Sequence, residues 1–204
     1  MANGSTHEVV LPLFSPLKDA PTKRYRTIVA DPPWRYNSKL VGLRGATDYP
    51  TMTEEELVNV GVGLWGDTNA HLYLWTTDHF IVPAHRIAKA WGFEVQNILT
   101  WVKGKEERPS IGVGFYYRHA TEYVLFAVRG SLAVRYHDQP NVFFAPRGTH
   151  SEKPAAFYDM VERMSPGPYL DVFARKQRFN FDTFGNESFD FRDHGIWHKE
   201  GLAT

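Results

Sequence analysis

The stretch "IVADPPWRYNSK" (residues 28–39) runs from an apolar segment straight into an acid, two prolines and a tryptophan. Pro32 and Pro33 fix their own φ and donate no hydrogen bond, so the carbonyls around them are held rigidly and remain available as acceptors. Asp31 adds a carboxylate acceptor and Trp34 a flat apolar face. Two acceptors beside an aromatic surface suit an exocyclic aromatic amine, which has two hydrogens to donate. Adenine and cytosine carry that group, and they present it fully only when flipped out of a base stack. The competing reading is a strand stopped by proline beside a core tryptophan. An acid before the prolines and an indole after them, at the end of a strand, favour the chemical reading. Ligands of open α/β sheets bind outside the carboxyl ends of strands, which is where this tetrapeptide falls.

The rest of the chain supplies the elements that would hold it. "YRTIVA" (25–30), "HLYLWTT" (71–77), "FEVQNILTWV" (93–102), "TEYVLFAV" (121–128) and "YLDVFA" (169–174) carry the aromatic and β-branched residues of strands. Thr53 with Glu56 three residues on is a capping-box signature opening a helix over "TEEELVNV". "HFIVPAHRIAKAWG" (79–92) has helical spacing and stops at Gly92; "SEKPAAFYDMVERM" (151–164) predicts a helix from Ser151 with Pro154 in its first turn. Such alternation predicts a three-layer α/β domain with a mainly parallel sheet. Residues 35–52 and 103–120 have no assigned element, and loops that long in a compact domain are usually functional; Gly112 and Gly114 add freedom to the second.

Bulk properties remove several function classes. The chain has 204 residues, 43% hydrophobic and 15% aromatic, enough for one domain with a real core. Lys+Arg and Asp+Glu are both 23, so no global basic field drives nonspecific nucleic-acid binding. The absence of cysteine excludes disulfides, thiolate metal sites and Cys nucleophiles, and it is compatible with a reducing cytoplasm, where the protein is expected. The first residues lack the pattern of a signal peptide, and no apolar run approaches the ~20 residues of a membrane span, so a soluble protein is expected. Gly61, Gly63 and Gly66 satisfy G-x-G-x-x-G, but they follow a helix and precede a strand, the reverse of a dinucleotide-binding turn. His194 and His198 lack companions at metal-ligand spacing and read as a solvated tail; no metal site is expected.

Taken together, these segments resemble a known family. "DPPW" after a hydrophobic strand is similar to the catalytic motif of the adenine-N6 methyltransferases typified by the mRNA adenosine methyltransferase. "DYPTMTEEEL" (48–57), "LYLWTT" (72–77), "WGFEVQNILTWVK" (91–103), "RHATEYVLFAVRG" (118–130), "HSEKPAAFYDMVERMSPGPYLDVFAR" (150–175) and "FGNE" (184–187) follow in the family's order, so the resemblance covers residues 25–187. It implies a Rossmann-like class I methyltransferase fold in permuted order, with the acceptor motif before the cofactor motif, in a compact form like bacterial or phage members. It implies S-adenosylmethionine as cofactor and the N6 amine of adenine in nucleic acid as acceptor, DNA ahead of RNA. Residue by residue, Asp31 and the Pro32 carbonyl would hold the amine, with Pro33 and Trp34 completing the catalytic motif. Tyr49 and Glu122 would serve the acceptor side, where the local charge pattern, not the resemblance, adds Lys103 and Arg118. Asp31, Lys153, Asp171, Arg175, Asn186 and Glu187 would hold the cofactor. The chain departs from the best-known eukaryotic members at Lys176, Gln177 and Arg178, so no firm role passes to Gln177 or Arg178.

Lys103, Lys105, Arg108, Arg118, Arg129, Arg135 and Arg147 lie in or beside the unassigned loops and read as a phosphate-contacting rim. The expected organisation is an irregular lead-in over 1–24, a methyltransferase domain over 25–187 and a tail over 188–204. Two rivals stay open: a non-catalytic, nucleic-acid-binding partner subunit of the same fold, and an amino-methyltransferase acting on a small molecule or protein. The resemblance leaves homodimer, heterodimer and monomer all open, and implies no membrane partner.

Overall fold

Strand β1 (Tyr25–Ala30) is the centre of the molecule: Thr27, Ile28, Val29 and Ala30 have no exposed surface at all. The computed structural model of the chain describes residues 23–35, 51–112, 114, 116–148 and 152–184. β1 is followed by helix α1 (Glu54–Asn59), strand β2 (Gly66–Thr76), helix α2 (Ile81–Ala90) and strand β3 (Glu94–Lys105). Then come strands β4 (Arg108–Pro109), β5 (Thr121–Arg129) and β6 (Val142–Ala145), helix α3 (Ala155–Met164), and strands β7 (Tyr169–Val172) and β8 (Phe181–Phe184). They form one sheet in the order β4-β3-β5-β2-β1-β7-β8, with β6 also paired to β3.

The sheet is mixed rather than mainly parallel. β1 pairs parallel with β2 and with β7, β7 with β8, and β3 with β6, but β5 lies antiparallel between β2 and β3. The reason is the connection. A parallel neighbour needs a crossover, usually helical, whereas β3 reaches β5 without a helix and so returns beside it in the opposite sense.

Alternation along β1 divides the core into two layers. Ile28 and Ala30 face α1 and α2, packing with Leu57, Ala84, Ile87 and Ala88; Val29 faces α3 with Phe157, Tyr158 and Val161. With helices on both faces, this is the three-layer α/β arrangement that the element pattern predicted, and the Rossmann-like one that the resemblance implied.

Helix boundaries follow local chemistry. At α1 the predicted capping box is present: the Glu56 N–H donates to Thr53 Oγ1 (3.2 Å) and the Thr53 N–H to Glu56 Oε2 (2.6 Å). α2 is preceded by a 3-10 turn over Asp78–Phe80 and gives way to Gly92 at φ +82°. α3 begins at Ala155, not at Ser151, which lies outside the described residues; Pro154 caps it in an extended conformation, ψ 143°. β3 runs on to Lys105 and turns into β4, so the start of the stretch left unassigned is strand. Gly63 is a packing glycine: a Cβ there would stand 2.0 Å from the Trp91 carbonyl oxygen, which is a structural reason for the rejected G-x-G-x-x-G. Among the described residues no helix is long and apolar enough to cross a membrane.

Candidate active site

Asp31 leaves β1 at its carboxyl end, where its N–H donates to the Val172 carbonyl of β7 (3.2 Å). The residues after it are clamped one by one. The Trp34 N–H donates to the Pro32 carbonyl (2.9 Å), and the Met52 N–H donates to the Pro33 carbonyl (2.8 Å). The Trp34 indole N–H donates to the Trp75 carbonyl (3.2 Å) at the end of β2, and its ring stacks on Phe80 at 5.0 Å. Trp34 is only 8% exposed, so its ring pins the motif to the core more than it offers an open face. The double proline has its explanation in this clamp: neither residue needs a donor satisfied, and the turn is rigid.

Around Asp31 the fold assembles a charged quartet from four separate segments. Lys153, just before α3, places Nζ 3.1 Å from Asp31 Oδ1 and 3.0 Å from Glu122 Oε2 at the start of β5. Lys103, near the end of β3, places its own Nζ 2.6 Å from Glu122 Oε1. Side-chain exposures of Lys103, Lys153 and Glu122 are 11%, 12% and 20%, against 28% for Asp31, the member with most open surface. Lys153 also rests over the Trp75 ring at 4.7 Å. Two acids and two lysines thus neutralise one another in a poorly solvated site, as buried charges must.

Titration behaviour follows from these contacts. Burial pushes the Asp31 carboxyl up from its ordinary value, and Lys153 only partly counters it. For Glu122 burial works upward too, but Lys153 and Lys103 outweigh it and hold the carboxyl below its usual value. Lys153 is destabilised as a cation by burial, yet Asp31 and then Glu122 overcome this and raise it. In the next strand, in register with Val29, Asp171 is nearly fully buried and accepts from the Tyr158 hydroxyl (2.9 Å). Burial pushes its carboxyl up to about 7, with the Tyr158 hydrogen bond and Arg178 acting against the rise. Arg178 stacks over the Tyr158 ring at 3.6 Å, with its Nε 3.9 Å from Asp171.

The predicted site residues thus fall into groups. Asp31, Glu122, Lys103 and Lys153 come together. Asp171 lies one strand over, and Arg175 sits close enough to lower the Asp31 carboxyl electrostatically. Arg118 is exposed and donates through Nε to the Gly112 carbonyl. Tyr49, Asn186 and Glu187 lie outside the described residues, as do His194 and His198. The basic rim is divided. Arg129 sits at the far end of β5, donating to the Gly63 (2.7 Å) and Gly92 (3.1 Å) carbonyls with its guanidinium over Phe93. Arg135 donates to the Glu162 carbonyl (3.1 Å) of α3. Tyr158 and Trp75 were not singled out from sequence, because an aromatic on a helix face or in a strand reads as core.

The MT-A70 family model matches residues 25–187, from β1 through β8 and beyond. The chain belongs to the MT-A70 family. As a member it is an enzyme of the adenine-N6 methyltransferase type, in agreement with the resemblance carried by its motifs. The chain is similar to the type II methyltransferase M.MunI of a Mycoplasma species, 28% identical over 200 residues, covering 87% of this chain and 84% of the relative. It is 27% identical over 171 residues to the human N(6)-adenosine-methyltransferase catalytic subunit METTL3, covering 80% of this chain and 28% of the relative. A putative MT-A70-like N(6)-adenosine-methyltransferase of Medicago truncatula is 28% identical over 156 residues, 74% of this chain and 24% of that one. The chain therefore spans about a quarter of these two eukaryotic MT-A70 relatives.

The donor set around Asp31 fits S-adenosylmethionine. Asp31 and Lys153 stand side by side as a carboxylate and an ammonium, the complement of an amino-acid zwitterion. The Trp75 indole Nε1, buried beneath Lys153, is the one buried side-chain N or O atom without a hydrogen-bond partner among the described residues.

Proposed function

We propose that this chain transfers a methyl group from S-adenosylmethionine to the N6 amine of adenine in nucleic acid, with DNA favoured over RNA. The observation that carries the reading is the Asp31 carboxylate, rigidly presented at the end of β1, with 28% of its side chain open and its charge balanced by Lys153 at 3.1 Å. Asp31 accepts one hydrogen of the target amine. The Pro32 carbonyl, which has used one lone pair on the Trp34 N–H, accepts the other. Held at both hydrogens, the amine nitrogen presents its lone pair in one direction. The cofactor supplies an electrophilic methyl on a sulfonium that loses its charge on leaving, so positioning and electrostatics suffice. A nitrogen–carbon bond forms as the sulfur–carbon bond breaks, and the amine then gives up a proton. The raised Asp31 carboxyl is suited to receive it.

Lys153, Asp171 and Arg175, with Asn186 and Glu187 beyond the described residues, are the cofactor-holding group of this proposal. Glu122, Lys103, Tyr49 and Arg118 are its acceptor side. The preference for DNA rests on the compact form, which matches M.MunI along 84% of its length. The intact tetrapeptide weighs against a non-catalytic partner subunit.

The test is methyl transfer from labelled S-adenosylmethionine to panels of single- and double-stranded DNA and RNA, with digestion to nucleosides. Methylated deoxyadenosine should form with the parent, and Asp31→Ala should lose about a hundredfold or more of the rate. Methylated cytosine, or an Asp31→Ala variant as fast as the parent, would overturn the assignment.

A further inference from the structure

Tyr116 is 96% exposed and its neighbour Tyr117 is 89% exposed. Two adjacent tyrosines so fully in water contribute almost nothing to the fold, and Ile111, 64% exposed, stands in the same loop. The loop is nonetheless tied at its base. The Ser110 N–H donates to the Lys103 carbonyl (2.6 Å), the Lys103 N–H to the Ala120 carbonyl (2.8 Å), and the Gly112 N–H to the His119 carbonyl (2.7 Å). Gly114 has a steric role rather than one of freedom: a Cβ there would lie 1.9 Å from the Tyr117 carbonyl oxygen. The close approach of these backbones presents the two rings outward.

Two links set this loop at the mouth of the Asp31 site. Its end runs directly into β5, whose second residue, Glu122, bonds the lysine that touches Asp31. His119 Nδ1 also lies 3.6 Å from Asp78 Oδ2, three residues after Trp75, the anchor of the Trp34 indole. Local charge supplies little phosphate grip. Lys103 is committed to Glu122, Glu106 and Glu107 offset Lys105 and Arg108 in the hairpin turn, and Arg118 is left as the loop's exposed cation, its Nε on the Gly112 carbonyl. One cation beside two open rings makes the ring faces the larger contact.

We infer that Tyr116 and Tyr117 form a stacking surface for the unpaired bases flanking the target adenine, so that the strand is gripped by its neighbouring bases more than by its phosphates. This rests on nucleic acid being the substrate. A base turned out of its stack leaves its neighbours with an uncovered face, and an aromatic side chain covers any base without reading sequence.

The experiment compares the parent, the double variant Tyr116→Ala/Tyr117→Ala and the double variant Tyr116→Phe/Tyr117→Phe. The probes are a single-stranded deoxyoligonucleotide with one adenine and the same strand with abasic sugars on both sides of it. Removing both rings should raise KM for the intact strand about tenfold and leave kcat within about twofold, while the Phe variant stays near the parent. Abasic flanks should impose a similar loss on the parent and no further loss on the Ala variant, which a merely structural role would not produce. Fluorescence anisotropy of the labelled strand is read alongside. Tyrosine-dependent binding without methyl transfer would sink the enzymatic reading and leave the stacking surface standing. Equal affinity with and without the rings overturns the stacking surface whatever the transfer shows. A change in self-association by sedimentation with unchanged strand binding would also overturn it, in favour of a protein contact.

Discussion

Asp171 shows how one residue couples the site to pH. Its carboxyl is pushed up to about 7, chiefly by burial, from an ordinary 3.8. Between those values the folded chain holds a proton that the unfolded chain has released. Stability from this group is therefore greatest at the acid side of the window and is lost as pH rises through 7. Asp171→Asn keeps an acceptor for the Tyr158 hydroxyl but cannot ionise. Thermal melts of the two proteins should diverge from pH 5 to pH 8, the variant gaining relative to the parent by no more than about 4 kcal/mol. A constant gap across that range would show an ordinary carboxyl. Asp31 carries the second residue-scale expectation, the hundredfold loss on Asp31→Ala. The acid and its prolines were legible in the sequence as an acceptor at a strand end. The rise of the Asp31 carboxyl was not, since it comes chiefly from burial by the folded chain, against which Lys153, distant in sequence, acts only in part.

At the scale of elements, α1 is short, six residues, and relies on its ends. Its Leu57 is fully buried, and the Leu57 carbonyl accepts the Trp91 indole N–H (3.1 Å) beyond α2. Because the capping box satisfies the Thr53 and Glu56 N–H donors, Thr53→Ala should lower unfolding free energy by about 1 kcal/mol, read as a lower denaturant midpoint at unchanged slope. Capping and strand composition are local signals, and at α1 and β1 they placed the elements well. They were less exact at element ends. The start of α3 moved past Pro154, and β3 extended to Lys105 because Gly104 and Lys105 pair with Pro109 and Arg108 of β4 in a tight hairpin. The tyrosine surface belongs here too, as a property of how the 103–120 loop is tied.

Across the whole molecule, the sheet separates chemistry from structure. The carboxyl end of β1 gathers the charged quartet, while Arg129 at the far end of β5 ties carbonyls of two loops together. A second buried network braces the α3 side. His71 Nε2 donates to the Leu132 carbonyl (2.9 Å), and its Nδ1 lies 2.7 Å from Ser165 Oγ, to which Tyr73 also bonds. Burial lowers the imidazole below its ordinary 6.5. The folded chain thus binds fewer protons than the unfolded one below that value, and stability falls as pH drops through 6.5. This opposes Asp171, so the measurement belongs in the Asp171→Asn background. There, melting temperature should drop from pH 7 to pH 5, and adding His71→Gln should lower the plateau but flatten the slope.

The sequence by itself determined the tetrapeptide, the strand that presents it, the order of the motifs and the three-layer class, because each is encoded in short-range type and spacing. Only the tertiary structure decided that β5 runs antiparallel, that Lys103 and Lys153 meet Glu122 beside Asp31, and that Arg129 and Arg135 stand away from that cluster. Which charges meet is set by strand order and register. Those depend on contacts between residues far apart in the chain, and no local pattern specifies them.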